Sequence, residues 1–468
     1  MKRFSNIFKS GNKFVQSKLN FYTIGEYFTT IPVRKGYPII GTALTIMANG
    51  SAPKLHLHID KGHKLLGPIF KENMGTATAI FISDPSYIRE IFKLEGKYPK
   101  HFLPKPWTTF NDKYSCKRGL FFMDDEEWLH YRRMMNKHFL KDDLITNLKP
   151  IHEAVVNRLI KRWKNYDGNE IKNLEHEFYR HSISFLIGSL IGSSYIKYID
   201  CYEEDVEKLA SLFHHIFATT SELNGMPVKL MSWLSLPSWK RFEQSVKCSL
   251  EACHEVVDKM IVMRSPDGLL ERLLLENLPM SIIEAIVVDL ILAAGDTTAI
   301  TSQWSLYLLS GHKDVQQSLV EGTCDVKNVV KEALRLYPPA VFISRIMQYE
   351  TNIDNHVIPK NHLVLLSMYT AGRDDRIYPS ANTFNPNRWV RPTNGREYEA
   401  VNDPRAYIPF AIGARSCIGK NLALAQLHYT ISEIIANFQL ELKEEVEMVL
   451  RLVPVPSKPI KINIKSRK

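Results

Sequence analysis

The segment that most constrains the fold of this chain is Phe410-Ala-Ile-Gly413-Ala-Arg415-Ser-Cys417-Ile-Gly419. Its glycines allow the backbone to turn tightly and to pass close to a large flat ligand. A thiolate at Cys417 can then bind haem iron as an axial ligand. Arg415 can reach a propionate of that ligand, and Phe410 can shield the sulfur from water. The alternative is a loop that buries a free cysteine as a small apolar residue, which leaves the other four positions unexplained.

The spacing Phe-x-x-Gly-x-Arg-x-Cys-x-Gly resembles the haem-binding signature of the cytochrome P450 family. The resemblance implies haem b, an iron protoporphyrin IX, with Cys417 as the axial ligand of the iron. A cysteinate ligand donates electron density to the iron and favours cleavage of the O–O bond. It also implies the family's fold, which is mainly α with small β-sheets (α+β) and has a long central helix over the haem. We therefore expect one cytochrome P450 monooxygenase domain over residues 31–468.

Apolar periodicity agrees with a mainly helical body. It predicts helices that include His152–Trp163 and Trp239–Met263. A longer apolar stretch begins with Ser281-Ile-Ile-Glu284, which predicts a capping box at the start of a helix that continues to Gly311. Strands are predicted at residues 76–83, 340–346, 356–359 and 363–368, and within 448–464.

The middle of this long helix carries polar residues that are poor helix formers, including Asp296 and Thr297. A threonine that bonds back to the preceding turn can open a local groove. In the cytochrome P450 family this groove holds O2, and the resemblance assigns Asp296 and Thr297 as the acid and the alcohol that relay protons to it. The alternative is a helix kink with a partly exposed polar face. Ala294 stands where many members have glycine, and we expect it to narrow the groove without abolishing turnover.

Two oppositely charged residues on the helix before residue 340 indicate a buried ion pair. Glu332 and Arg335 lie three residues apart and therefore share a helix face. The resemblance adds Arg388 as the third member of a buried triad with a structural role, since buried charges must be paired with one another. The alternative is an ordinary ion pair on the protein surface.

Four side chains are candidates for binding the haem propionates. Trp128 and Arg132 lie one helical turn apart and both donate hydrogen bonds. Arg345 stands in a predicted strand where the family places another propionate ligand, and Arg415 precedes the cysteine by two residues. The alternative for Trp128 and Arg132 is a partly buried helix face.

Lys327 and Lys331 precede Glu332 by five residues and by one residue. In the mitochondrial branch of the family, lysines at these places dock an acidic, adrenodoxin-like ferredoxin, which receives electrons from an NADPH-dependent reductase. Such docking depends on salt concentration. The alternative is a solvated charge stripe.

The N-terminal segment, residues 1–30, is basic and amphipathic, and its first acidic residue is Glu26. This pattern predicts a mitochondrial targeting segment. The alternatives are a surface amphipathic helix and a disordered basic tail. No stretch is long and apolar enough for a transmembrane anchor. We expect a peripheral protein on the matrix side of the inner membrane. The tryptophan-bearing stretch 226–239 either dips into that membrane or packs in the core.

The formal net charge of +10 favours an acidic partner protein or an anionic membrane surface. We expect no nucleic-acid binding, because the lysines and arginines are dispersed and no nucleic-acid-binding motif is present. The six cysteines form neither a C-x-x-C pair nor a disulfide framework, which indicates a reducing compartment.

The segment Lys117–Arg133 resembles the arthropod mitochondrial branch of the family that makes moulting hormone. This resemblance implies a steroid substrate, O2 as the second substrate, and hydroxylation of an ecdysteroid at C2. The alternatives are another mitochondrial sterol or xenobiotic hydroxylase, a haem-thiolate isomerase that uses neither O2 nor electrons, and a non-catalytic haem protein.

Overall fold

A computed structural model describes residues 30–75, 77–141, 143–393 and 395–467 of the chain. The predicted targeting segment, residues 1–30, lies outside these ranges except for its last residue. The expectation of mitochondrial import therefore remains a sequence-based prediction.

Helices form most of the described chain, as the fold class predicted from the sequence requires. In chain order they are α1 (Ala43–Ala48), α2 (Leu55–Leu66), α3 (Pro85–Leu94), α4 (Lys105–Tyr114), α5 (Asp125–Phe139), α6 (Asp143–Trp163), α7 (Leu174–Ile191), α8 (Ser194–Tyr198), α9 (Glu203–Glu222), α10 (Val228–Trp233), α11 (Pro237–Met263), α12 (Leu269–Leu274), α13 (Met280–Ser310), α14 (Lys313–Val320), α15 (Val326–Leu336), α16 (Met368–Ala371) and α17 (Lys420–Asn437). Short 3-10 helices lie at Ala52–Lys54, Lys164–Tyr166, Ile199–Tyr202, Pro386–Trp389 and Pro404–Ala406. The predicted helices His152–Trp163 and Trp239–Met263 lie within α6 and α11.

The strands are short and form small sheets. They are β1 (Ile69–Asn73), β2 (Thr78–Ile82), β3 (Phe342–Ile346), β4 (Thr351–Ile353), β5 (His356–Ile358), β6 (Leu363–Ser367), β7 (Phe438–Leu442), β8 (Met448–Arg451), β9 (Val453–Pro456) and β10 (Ile462–Ser466). The largest sheet has the order β1-β2-β6-β3, in which β2 and β6 are parallel and the other neighbours are antiparallel. Alternate residues of β2, Ile80 and Ile82, pack with Ile88 and Ile91 of α3 in one core, as the two-residue period of a strand requires.

The main hydrophobic core lies between α6, α7, α9, α11, α13 and α17. Helices α7 and α13 pack side by side and supply many of its fully buried side chains. At Gly188 in α7 an added Cβ would lie 2.6 Å from Ile151 Cγ2 of α6, so glycine is what permits the close approach of these two helices. Nowhere in the described ranges is there a helix with the length and apolar character needed to cross a membrane.

The start of α13 differs from the prediction. The helix begins at Met280 with Pro279 at the N-cap position, and no side chain caps it, so the expected capping box at Ser281 and Glu284 is wrong. Proline at the N-cap position donates no N–H and fixes its own φ, and it brings Ser281 inside the first turn. The predicted end is nearly correct, because the last helical residue is Ser310.

The carboxylate of Glu332 in α15 is the centre of a buried polar network. It accepts hydrogen bonds from Arg335 Nε (2.9 Å) and Nη2 (2.7 Å) and from Arg388 Nε (2.8 Å). The backbone N–H of Asn385 and the indole N–H of Trp389 also donate to it, each at 3.0 Å. The side chains of Glu332, Arg335 and Arg388 are almost fully buried. The structure thus brings the predicted triad together and links α15 to the segment that leads toward the Cys417 loop.

We expect Glu332→Ala to lower the free energy of unfolding by roughly 3–5 kcal/mol, because it leaves two buried guanidinium groups without their carboxylate. Urea unfolding followed by circular dichroism measures the change. Glu321→Ala is the matched control, because Glu321 is exposed at the end of α14. Equal unfolding midpoints for the two variants would contradict the structural role of the triad.

Candidate functional site

A cavity of about 1260 Å³ lies between α13 and the Cys417 loop. One wall is formed by α13, through Ile286, Leu290 and Ala293, and other walls by α1, α5 and β3. Most of the lining is apolar, but the side chains predicted to bind the haem propionates all face it: Trp128, Arg132, Arg345 and Arg415. The cavity therefore brings together parts of the chain that are far apart in sequence.

The Cys417 loop is a tight turn that ends at the first residue of α17. The N–H of Cys417 donates to the carbonyl of Phe410 (2.9 Å) and the N–H of Ser416 to that of Gly413 (3.2 Å). Gly413 has φ +83°, and a Cβ there would lie 2.6 Å from Glu95 Oε1, so both conformation and space require glycine. The loop is therefore held from both sides, by its own backbone and by α3.

Cys417 lies deep in the fold, and its accessible surface opens into the cavity that it lines. Burial within the fold raises the pKa of its thiol, whereas a hydrogen bond from Gly419 and the charge of Arg132 act in the opposite direction. The N-terminus of α17 follows at Lys420, and a helix N-terminus also favours a negative charge. The free N–H groups and cations around the sulfur are suited to a thiolate that binds a metal.

The three arginines of the cavity differ in their partners. Arg415 donates to the carbonyls of Pro99 (2.6 Å) and Met123 (2.8 Å) and to Asp124 (2.8 Å). Arg345 donates to Glu95 through Nε at 2.5 Å. Arg132 is buried beside Cys417 and forms no ion pair within the described part of the chain.

Several buried nitrogen atoms in this cluster have no hydrogen-bond partner among the described residues. They are Arg132 Nε, Arg345 Nη2 and both ring nitrogens of His101. The pKa of Arg415 is lowered to about 10 and that of His101 to about 3; burial is the largest cause, and neighbouring guanidinium groups contribute to both shifts. This excess of unpaired donors and positive charge fits an anionic ligand with two carboxylates, and haem is such a ligand.

His101 is a functional candidate that the sequence analysis missed. It lines the cavity beside Arg345 and Arg415, and its ring packs against Phe121 at a centroid distance of 4.8 Å. It lies in an irregular loop between α3 and α4, where a single histidine has no regular spacing to any other motif. No local signal in the sequence identifies it.

Asp296 and Thr297 are adjacent on α13 but occupy different faces. Thr297 is exposed, and its hydroxyl donates to the carbonyl of Ala293 (3.0 Å), which is the predicted bond to the preceding turn. Asp296 is buried, and its Oδ1 accepts a hydrogen bond from the hydroxyl of Tyr179 in α7. Burial raises the pKa of Asp296 to about 7. The helix remains α-helical throughout this region.

The two predicted docking lysines have unequal surroundings. Lys327 is exposed in the first turn of α15. Lys331 is half-buried, with Nζ 3.2 Å from the hydroxyl of Tyr398 and above the rings of Tyr398 and Trp389 at 4.6 and 5.5 Å. The ammonium group of Lys331 is therefore already engaged, while that of Lys327 points to solvent.

The stretch 226–239 is partly exposed, as membrane contact requires, and partly buried in the core. Trp233 is 79% exposed and Leu230 is 50% exposed, whereas Trp239 is fully buried. Met226 of this stretch and Met47 of α1 both line the cavity, and both are exposed. An apolar surface therefore lies beside the cavity.

Comparison with known proteins agrees with this geometry. The family model described as Cytochrome P450 matches residues 31–323 and 326–464. "Cytochrome P450 315a1, mitochondrial" of Drosophila melanogaster is 37% identical over 474 residues, which cover 95% of this chain and 90% of that protein. The mitochondrial cholesterol side-chain cleavage enzyme of Mesocricetus auratus is 24% identical over 450 residues, or 89% of this chain and 85% of that protein. The solved structure of retinoic acid bound cyanobacterial CYP120A1 superposes with a TM-score of 0.76 at 19% identity and covers 94% of this chain and 100% of that one.

We expect Arg132→Met to release haem on the order of tenfold faster than the unchanged protein, because a charge-assisted hydrogen bond to a propionate is lost. Transfer of haem to an excess of apomyoglobin measures the rate. Arg133→Met is the matched control, since Arg133 is the exposed neighbour on the same helix. Equal release rates for the two variants would show that Arg132 does not hold the cofactor.

Proposed function

The chain belongs to the cytochrome P450 family of haem-thiolate monooxygenases, and from this premise we propose that it is a mitochondrial steroid hydroxylase that acts on an ecdysteroid at C2. The 37% identity to a mitochondrial cytochrome P450 over 95% of the chain is the observation that carries the proposal. Similarity to a mitochondrial enzyme that cleaves the cholesterol side chain supports a steroid substrate. The choice of an ecdysteroid rests on the resemblance of Lys117–Arg133 to the arthropod branch.

Haem b is the cofactor, and Cys417 is proposed as its axial ligand. When bound, the haem supplies the activation of O2 and the insertion of one oxygen atom into the substrate. Phe410, half-buried at the start of the loop, shields the sulfur, and Gly413 and Gly419 permit the close approach of the backbone. The propionates would be held by the donors at the rim of the cavity: Trp128, Arg132, Arg345, Arg415 and His101.

Proton delivery is assigned to Asp296 and Thr297. A buried carboxyl with a pKa of about 7 exchanges its proton readily at neutral pH, which is the property required of a general acid. Ala293 lines the cavity, and Thr297 lies four residues beyond it on the same face of α13, with its hydroxyl bonded to the Ala293 carbonyl. A haem-thiolate isomerase consumes no protons from solvent, so a neutral-range acid at this place favours a monooxygenase.

The substrate would lie against the apolar part of the cavity. Leu290 of α13, Leu450 of β8 and Val341, which directly precedes β3, contribute to this wall. Their contact with a steroid excludes water from the reacting carbon, and water exclusion strengthens every polar interaction at the site. The volume of the cavity accommodates haem together with a steroid.

We place the protein in the mitochondrion, peripherally on the matrix side of the inner membrane, with residues 31–468 as one catalytic domain. The exposed apolar side chains of Trp233, Leu230 and Met47 beside the cavity support contact with a membrane. The net charge of +10 favours an anionic membrane surface. A steroid dissolved in the bilayer would then reach the cavity directly.

Reconstitution with an adrenodoxin-like ferredoxin, its NADPH-dependent reductase and a panel of ecdysteroids tests the proposed activity. We expect 2-deoxyecdysone to gain one oxygen atom at C2, as seen by mass spectrometry and nuclear magnetic resonance. Cys417→Ser should lack both the product and the carbon-monoxide absorption band of thiolate-bound haem.

Four outcomes would overturn parts of this proposal. Hydroxylation of another sterol with 2-deoxyecdysone unchanged would refute the ecdysteroid assignment. Conversion of a peroxide without ferredoxin would favour an isomerase, and a normal carbon-monoxide band with no product from any sterol would favour a non-catalytic haem protein. Survival of the band in Cys417→Ser would refute the assignment of the ligand.

Lys327→Glu should raise the KM for ferredoxin roughly five- to tenfold and weaken its dependence on salt, because an exposed attractive charge becomes repulsive. Steady-state turnover at varied ferredoxin and salt concentrations measures both effects. Lys172→Glu, an exposed lysine before α7, is the control of equal charge change. An equal KM for the two variants would refute docking at Lys327, and Lys331 should contribute less because Tyr398 and Trp389 already engage it.

A further inference from the structure

Asp296 lies at a level of α13 where side chains of two other helices pack closely against it. A Cβ at the preceding residue, Gly295, would lie 2.8 Å from Phe213 Cδ2 of α9 and 3.4 Å from Ile183 Cγ1 of α7. Both helices are therefore in van der Waals contact with α13 beside Asp296. Its carboxyl group is enclosed by protein and faces α7, away from the Thr297 hydroxyl.

Tyr179 of α7 provides the hydrogen bond that Asp296 makes within the described chain. Its buried hydroxyl donates to Oδ1, whereas Oδ2 is buried and has no partner among the described residues. A neutral carboxyl carries one proton, and an oxygen that already accepts from a tyrosine is the better acceptor of the two. The exchangeable proton of Asp296 is therefore placed on Oδ2.

A hydrogen-bonded glutamate–histidine pair lies on the solvent side of this contact. Glu175 precedes Tyr179 by four residues and so shares its face of α7. Glu175 Oε1 lies 3.2 Å from Nδ1 of His214, the residue after Phe213 in α9. The side chains of His214 and Glu175 are 48% and 32% exposed, so both are in contact with water.

We propose that Tyr179 is a positioning residue that holds Asp296 with its proton on Oδ2, and that Glu175 and His214 form the solvent-side end of this proton supply. The inference rests on the proposed monooxygenase function and names residues that the acid–alcohol pattern does not contain. One proton enters from water for each proton that Asp296 releases during turnover. The carboxyl is then reprotonated, so the balance of the cycle is unchanged.

The surrounding groups act on Asp296 in known directions. Burial raises its pKa most strongly, the hydrogen bond from Tyr179 lowers it, the charge of Glu175 raises it, and His214 lowers it. The pKa of His214 is itself raised by its bond to Glu175. On α13, the nearest acidic residue of the preceding turns is Asp289, which is paired with Arg118. Tyr179 and Glu175 therefore influence the acid with opposite signs.

The alternative is that the Tyr179 hydroxyl satisfies a buried carboxylate and has no further role. Both roles predict some loss of stability when the hydroxyl is removed, because each loses one buried hydrogen bond. They differ in the protonation of Asp296. If the bond is purely structural, Asp296 stays either ionised or neutral throughout pH 6 to 9, and removing the hydroxyl does not change its protonation in that range. A measurement of that protonation separates them.

Infrared difference spectroscopy of the ferric holoenzyme detects the C=O band of a protonated carboxyl, and Asp296→Asn identifies the band of Asp296 by its loss. We expect the band to titrate near pH 7 in the unchanged protein. In Tyr179→Phe the midpoint should rise by about one pH unit, because a donor to the carboxylate is removed. In Glu175→Gln it should fall, because a neighbouring negative charge is removed. Tyr195→Phe is the matched control, since Tyr195 is buried and bonds Ser184 (2.7 Å) away from this site.

Turnover provides the second readout. We expect Tyr179→Phe to release more peroxide per NADPH consumed, and the pH at which product yield declines should move with the infrared midpoint, while Tyr195→Phe leaves both unchanged. If Asp296→Asn retains full product yield, the proposed role of Asp296 itself is wrong. If Asp296→Asn loses yield but neither Tyr179→Phe nor Glu175→Gln moves the midpoint, the positioning role alone is refuted. Should Tyr179→Phe fail to fold, the downward shift in Glu175→Gln still decides the solvent-side part.

Discussion

The guanidinium group of Arg132 is buried beside Cys417 without a carboxylate of the described chain to neutralise it, and the site depends on this imbalance. A buried unpaired charge is strongly destabilising. The chain does supply carboxylates to the other two arginines, through Glu95 for Arg345 and Asp124 for Arg415. A ligand that brings negative charge to Arg132 therefore stabilises the folded state by its binding free energy. If haem is that ligand, the affinity for haem and the stability of this side of the molecule are thermodynamically linked.

The helix α13 contacts the cavity, α7 and the loop after α4 with different faces, because successive side chains of a helix point about 100° apart. Ala293 lines the cavity and Thr297 bonds to its carbonyl on the same face, whereas Asp296 faces α7. Two turns earlier, Asp289 accepts hydrogen bonds from Arg118 Nε (2.9 Å) and from the N–H of Gly119 (2.7 Å), which ties the loop after α4 to the cavity wall. Asp296 and Asp289, both poor helix formers, are thus the residues that make these long-range contacts.

The sequence predicted those parts of the site that depend on local spacing. The mainly α fold is confirmed, and the pairs Glu332–Arg335 and Trp128–Arg132 could be recognised because one helical turn separates their members. Tyr179, His101 and Glu95 could not, because each acts on a residue far away in the chain, and nothing in its own neighbourhood marks it. The capping box failed for a related reason, since its pattern fits at Ser281 but Pro279 determines where the helix starts.

The two sides of the cavity differ in the kind of charge that they carry. Guanidinium groups remain protonated across the physiological range, so Arg132, Arg345 and Arg415 attract anions but cannot exchange protons with them at neutral pH. Asp296, on the opposite helix, is the group whose pKa lies near 7. The proposed proton delivery therefore involves the α13 side, and the proposed binding of the cofactor's carboxylates involves the arginine side. Because burial by α7 and α9 raises the pKa of Asp296, the packing of the main core is also what makes this side able to exchange protons.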